Sequence, residues 1–258
     1  MGYTLTPFVV DISKIAAVLG SKDESLFDLL TKDFKDEFDE IDALGDDYEE
    51  EKEVEKRGGI KSVDDALRMM RDLLLGQGPL HSTAPDTRDE HENSGTDTKE
   101  SRPPCASTAD ALRHLIMGDE FDRRVGFKYG YVLRCLCQYF GEELLHDNWC
   151  DLRSCHNWFQ ELDTTLRSIG VPAETLSISG HLCERGAPIP IPKYSGFPSI
   201  GYLTVAEIEV ALKSLCAARI DDIGEEEEEP WLPEGLDDVR CWLQTCSAAK
   251  CDLVCFYS

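Results

Sequence analysis

The chain has 258 residues, of which 41% are hydrophobic and 30% charged, and a formal net charge of −25. That is length enough to bury one well-formed core, and no apolar run reaches the ~20 residues that a membrane helix needs. The first 20 residues carry no basic lead, and an aspartate interrupts their apolar stretch, so they do not read as a secretory signal and the expectation is a cytoplasmic protein.

The acidity is concentrated. Residues 22–55 hold sixteen Asp and Glu against four Lys, a net −12, and residues 221–238 hold ten acids with no Lys or Arg, a net −10. The rest of the chain is close to neutral. This placement argues against direct contact with nucleic-acid phosphates or an anionic membrane, since both need Lys and Arg to neutralise charge. It suits a basic protein partner, and it equally suits the blander task of keeping a surface solvated. Eleven cysteines, an odd number with no signal segment, argue against a disulfide framework. They read as reduced side chains that pack as small apolar groups.

In chain order, residues 3–10 predict a strand, with Pro7 marking an edge or a bulge. Asp11 or Ser13 then caps a short helix ending at Gly20. Ser21 and Glu24 have the spacing of a capping box. Leu26, Leu30, Phe34 and Ile41 follow at near-helical spacing, with Phe27 and Phe38 beside them, as one apolar stripe on an acidic rod that Gly45 ends. Residues 46–61 read as an acidic loop and 62–75 as a helix closed by Gly76. Residues 77–106, poor in apolar side chains, read as a disordered insertion.

A helix with a serine cap is expected over 107–117. It shares the pattern SxxDALR with residues 62–68, a match that two ordinary helix starts reach by chance. Residues 126–140 predict a largely buried helix with Gly126 and Gly130 at close-packing positions. The next helix, 155–169, carries Trp158, Phe159, Leu162 and Leu166 and stops at Gly170 and Pro172. Residues 175–179 alternate like a strand, and 187–192 are held extended by their prolines. Thr204 and Glu207 form a second capping box, residues 223–233 an acidic loop, 236–248 a helix and 252–257 a closing strand. The first and last strands pair in one small sheet covered by helices. The expected fold is α+β, a mostly helical single domain over 1–258, interrupted by the loop 46–61 and the insertion 77–106.

Five blocks carry a resemblance: MGYTLTPFVVD at 1–11, ALRHLIMG at 111–118, GFKYGY at 126–131, FPSIGYLT at 197–204 and DLVCFY at 252–257. Together they resemble an uncharacterised bacterial family, a domain of unknown function. The resemblance implies a bacterial source and no activity, so no functional residue is carried over from it.

Metal and nucleophile chemistry find little support. Cys135, Cys137, Cys150 and Cys155, with His146 and His156, lie close in sequence, but Cys135 and Cys137 leave different faces of a helix and the 150–155 interval is wide for a zinc knuckle. Cys241, Cys246, Cys251 and Cys255, spaced by four or five residues, do not share a helix face. A Cys–His pair from Cys150 or Cys155 with His146, His156 or His181 would need a lowered thiol pKa and a base within reach. No phosphate loop, dinucleotide fingerprint or nucleophile elbow occurs. No metal ligand, cofactor or catalytic residue is therefore assigned.

Two candidate sites remain. One is an aromatic partner or ligand face of Tyr129, Tyr131, Trp149 and Trp158 with His156, although such aromatics more often belong to a core. The other is the acidic segment Glu225, Glu226, Glu227, Glu228 and Glu229. The expected function is a non-enzymatic acidic interaction module, immunity-like or regulatory, that binds a basic protein. The alternative is a small-ligand-binding protein or enzyme with its site at the aromatic cluster.

Overall fold

The computed structural model describes residues 4–44, 107–144, 158–218 and 231–258. The elements expected at 46–61, 62–75 and 77–106 lie outside these residues. Strands β1 (Leu5–Val10) and β4 (Asp252–Tyr257) pair antiparallel, with Leu5 opposite Tyr257 and Val10 opposite Asp252. The short β2 (Glu142–Glu143) adds to β1, and β3 (Ser199–Leu203) adds to β4, giving the antiparallel order β2-β1-β4-β3. The two strands farthest apart in sequence thus form the middle of the sheet. Pro7 is accommodated because β2 reaches only Phe8 and Val9, and the Pro7 carbonyl accepts from the Leu144 N–H at 2.9 Å.

Side chains alternate across the pleat. Phe8, Val10, Ile200, Val254 and Phe256 enter a first core, packed by α1 (Ile12–Val18), α2 (Glu24–Asp33), α3 (Lys35–Leu44), α4 (Thr108–Met117) and α5 (Gly126–Phe140). Leu5, Val9, Leu203, Leu253 and Cys255 enter a second core, packed by α6 (Trp158–Ser168), a π-helical segment (Ile178–Cys183), α7 (Val205–Ala217) and α8 (Trp231–Ala249). Antiparallel sheets often keep one wet face. This one is covered on both, which is why all six residues of β1 are buried. The fold is α+β, with a small sheet that includes the N- and C-terminal strands and a helical layer on each side.

Helix starts follow from local side chains. Ser107 with Asp110, and Thr204 with Glu207, form complete capping boxes. The start of α2 differs from the expected Ser21 box: Asp23 is the cap and accepts from the Leu26 N–H, while Ser21 Oγ accepts from the Asp23 N–H. The acidic rod is also two helices, broken at Phe34; of the expected stripe Leu30, Phe34 and Ile41, with Phe38 beside them, are buried, while Leu26 and Phe27 are half-buried.

One carboxylate links the two layers. Asp252 Oδ2 accepts from the Ile12 N–H at 3.1 Å and Oδ1 from the Val205 N–H at 2.9 Å. These are the first residues of α1 and α7, helices that serve opposite cores, so a single side chain meets two helix N-termini.

A long connection also crosses between the layers. It leaves the second core at Leu182 and Cys183, passes the outer edge of β3, and enters the first core at Ile189 and Ile191. Tyr194 then lies on α5 over Gly126 and Gly130, where a Cβ at Gly130 would overlap its phenol group, and its hydroxyl donates to the Pro198 carbonyl at 2.5 Å. The two glycines are close-packing positions as expected, and the partner they admit is a tyrosine ring from this strap.

Candidate functional site

The aromatic candidates do not converge. Tyr129 is fully buried in the first core, where its hydroxyl accepts from the Asp122 N–H at 2.9 Å and pairs with His114 Nδ1 at 2.8 Å. Tyr131 is half-buried against the same core. Trp158 is buried in the second core, on the other side of the sheet. A shared face for Tyr129 and Trp158 is thus corrected, because the sheet separates them. Trp149, His156 and Glu225 to Glu229 lie outside the described residues.

Trp158 instead begins an aromatic row, tilted at its first contact and edge-to-face at the next two. Its ring meets Phe159 at 5.0 Å, Phe159 meets Tyr257 at 5.0 Å, and Tyr257 meets Phe197 at 5.6 Å. The last three are half-buried and mark the end of the sheet where β3 starts and β4 stops.

Among the described residues, no group of three or more His, Cys, Asp or Glu is placed to hold a metal. Burial pushes the Cys135 thiol up to about 12, with the Glu37 charge adding to it, and pushes Cys246 up to about 12 beside Cys251 and Asp252. Burial also raises Cys183, Cys137 and Cys255. Thiols held protonated in this way are poor nucleophiles and poor ligands.

The acidic surface is present on α2 and α3. With the apolar stripe facing the first core, Asp23, Glu24, Asp28, Asp33, Asp36, Glu37, Asp39 and Glu40 are all exposed, against three exposed lysines, Lys22, Lys32 and Lys35. Three of these acids are engaged locally, Asp39 with Lys35 at 2.6 Å, Glu24 with Arg113 at 3.0 Å and Asp23 with the Leu26 N–H as the cap of α2. Below them Asp42 accepts from buried Lys128 at 2.9 Å and from the Thr108 N–H at 2.8 Å, which fixes α3 against α4 and α5.

A second polar group was not foreseen. Residues 175–179 alternate like a strand in sequence, yet the chain turns there into the π-helical segment, because a buried carboxylate collects its backbone. Asp163 of α6 accepts from the Ile178 N–H at 2.5 Å, the Ser179 N–H at 3.2 Å, the Ser177 hydroxyl at 2.9 Å and the Ser179 hydroxyl. The Ser177 N–H donates to His181 Nδ1 at 3.0 Å. Burial lowers the His181 pKa, and the neighbouring Arg185 charge lowers it further, against the opposing pull of Glu207 and Asp163. The neutral ring then carries its proton on Nε2.

Next to it Arg185 clamps Glu207 with two bonds of 2.8 and 2.9 Å, and its guanidinium lies 4.1 Å over the Tyr202 ring. Burial works against the Glu207 carboxylate, but the bonds from Arg185 and from the Thr204 N–H and hydroxyl outweigh it and bring its pKa down to about 2.

Residues 60–258 match the family described as a domain of unknown function, DUF7691. The chain belongs to that family. No curated protein and no solved structure matches it. The span matched to DUF7691 contains α4 to α8 and β2 to β4, and with them Asp163, the π-helical segment and the Arg185–Glu207 clamp. It leaves out β1 and the acidic helices α2 and α3, although β1 is hydrogen-bonded to β4.

Within the DUF7691 span, Asp163, Ser177, Ser179 and His181 have the residue types of a hydrolytic site but not its wiring. Both hydroxyls donate to the carboxylate, and the Nδ1 lone pair of His181 is taken by a backbone N–H. Nucleophile activation needs a hydroxyl donating to an imidazole that is itself oriented by the acid. The arrangement fixes the π-helical segment on α6. Asp163 was not legible as part of it, since in sequence it is one more acid on an amphipathic helix.

Proposed function

We propose that the chain is a non-catalytic interaction module whose acidic face receives a basic protein, in an immunity-like or regulatory role. The observation that carries this reading is the α2–α3 layer. Its apolar stripe anchors it to the first core, so eight carboxylates are held on one ordered surface. Fixed carboxylates raise the local concentration of a cationic partner and speed encounter, and they compete with phosphate for it. A basic enzyme that acts on nucleic acid has the matching chemistry. The five glutamates at 225–229 add charge of the same sign in sequence. The mutual saturation of Asp163, Ser177 and Ser179 supports a binding role over a catalytic one.

The test is capture from lysate of the source cells at low and high salt, using the native chain and a variant with Asp28→Asn, Asp33→Asn, Asp36→Asn and Glu40→Gln. A basic protein retained at low salt, lost at high salt and lost by the variant supports the proposal. The same partners with both chains at both salts, or none at all, refutes it.

A further inference from the structure

Two side chains fix the π-helical segment, and they do so differently. Asp163 gathers its donors from residues 177–179. His181 closes the turn that follows. Its Nδ1 accepts the Ser177 N–H at 3.0 Å, and its own N–H donates to the Ser177 carbonyl at 2.9 Å. A main-chain N–H can only donate, so this contact exists only while Nδ1 keeps its lone pair. A protonated imidazole has a donor at both nitrogens, and in this position it would set one N–H against another.

The ring is half-buried, and among the described residues its charged neighbours are three. Arg185, just past the segment, opposes protonation, while Asp163 of α6 and Glu207 of α7 favour it. Both carboxylates are already occupied, Asp163 by the segment and Glu207 by Arg185 and Thr204. β3 brings the Tyr202 phenol, which lies under the Arg185 guanidinium. β4 brings the Cys255 thiol and the segment itself the Cys183 thiol, both kept protonated by burial. Beneath the turn lies β3, so close that a Cβ at Gly201 would overlap the His181 and Leu182 carbonyls.

We propose that His181 is a pH-sensitive latch on the π-helical segment, closed while its ring is neutral and opened when Nδ1 takes up a proton. Opening leaves the Ser177 N–H without its acceptor. Asp163 still holds residues 177–179 on α6, so the change is a local loosening of the turn at 180–184 and not an unfolding of the second core. A folded ring that resists protonation contributes stability above the ordinary histidine pKa and loses it as pH falls below that value. The latch lies in the second layer and does not depend on the acidic face of α2 and α3.

The test is an NMR titration of the native chain from about pH 8 to about pH 5, following the histidine ring signals and the exchange of the Ser177 amide, corrected for the intrinsic pH dependence of exchange. His181→Asn identifies the His181 signal and offers a side-chain oxygen near the place of Nδ1 that does not titrate. The latch predicts that His181 titrates below the ordinary histidine value, and that over the same interval Ser177 loses protection about fivefold or more. In His181→Asn that protection stays level. A His181 ring that titrates at or above the ordinary value overturns the inference. So does Ser177 protection that is unchanged while the ring titrates, or an equal loss in His181→Asn. Should His181→Asn not fold, the position of the Ser177 amide signal in the native chain decides alone. It is expected to shift together with one histidine ring, and a signal that follows none overturns the inference.

Discussion

Replacing Asp252 by Asn tests whether one carboxylate joins the two helical layers. The side chain is nearly isosteric, so packing is preserved, but an amide has one acceptor oxygen where the carboxylate has two. Either the Ile12 N–H or the Val205 N–H must then face an NH₂ group. A hydrogen bond to a charged acceptor contributes about 1.5–3 kcal/mol, and a negative charge at each helix N-terminus adds about 0.3–1 kcal/mol. Asp252 is half-buried, so Asp252→Asn is expected to cost about 2–3 kcal/mol, or roughly 5–10 °C in melting temperature for a chain of this size. Amide exchange should accelerate at the starts of both α1 and α7. Asp11→Ala, by contrast, removes the side-chain cap of α1 alone and should loosen only that helix. A melting temperature within about 1 °C of the native chain, or exchange faster at only one helix, would refute the reasoning.

Glu207 sets an acid limb to the stability. Its folded pKa, about 2, lies below the ordinary carboxylate value, so its contribution is complete above the unfolded pKa and is lost as pH falls from there toward about 2. The side chain is 38% exposed, and after solvent screening the contribution is about 1–2 kcal/mol. Glu207→Gln should lose that amount in urea titrations at neutral pH and flatten the acid limb, and an unchanged limb would contradict it. Alkylation under native conditions should spare Cys135, Cys137, Cys183, Cys246 and Cys255 and modify Cys216 and Cys241, as read by peptide mass spectrometry; ready labelling of the first five would show that burial does not protect them. A fragment limited to residues 60–258 lacks β1 and the stripe on α2 and α3, and should show no cooperative melting transition. A sharp transition in that fragment would mean that β4 does not need β1.

Much of the fold was legible because its signals are local. The Ser107 and Thr204 caps, the stripe of Leu30, Phe34, Phe38 and Ile41, and the apolar runs of β1 and β4 each depend on residues within a few turns of one another. What was missed depends on distant partners. β3 is short and carries Gly201, which weakens a strand signal, and its reason is the π-helical segment pressed against it. The turn at 177–180 is made by Asp163, more than a dozen residues away. A shared face for Tyr129 and Trp158 was misjudged for the same reason: the two lie near each other in sequence, and nothing local shows that the sheet passes between them.

The pairing of β1 with β4 also governs how the protein can be made. Ile12 and Asp252, which meet at one hydrogen bond, are 240 positions apart. At the usual pace of a ribosome β1 waits roughly 10–50 s for its neighbour. Throughout that interval a six-residue apolar strand has no central partner, and neither helical layer has a finished floor to rest on. Slow codons or a heavy expression load would lengthen the wait, so yield should respond more to translation rate and holdase chaperones than to the stability of the finished molecule.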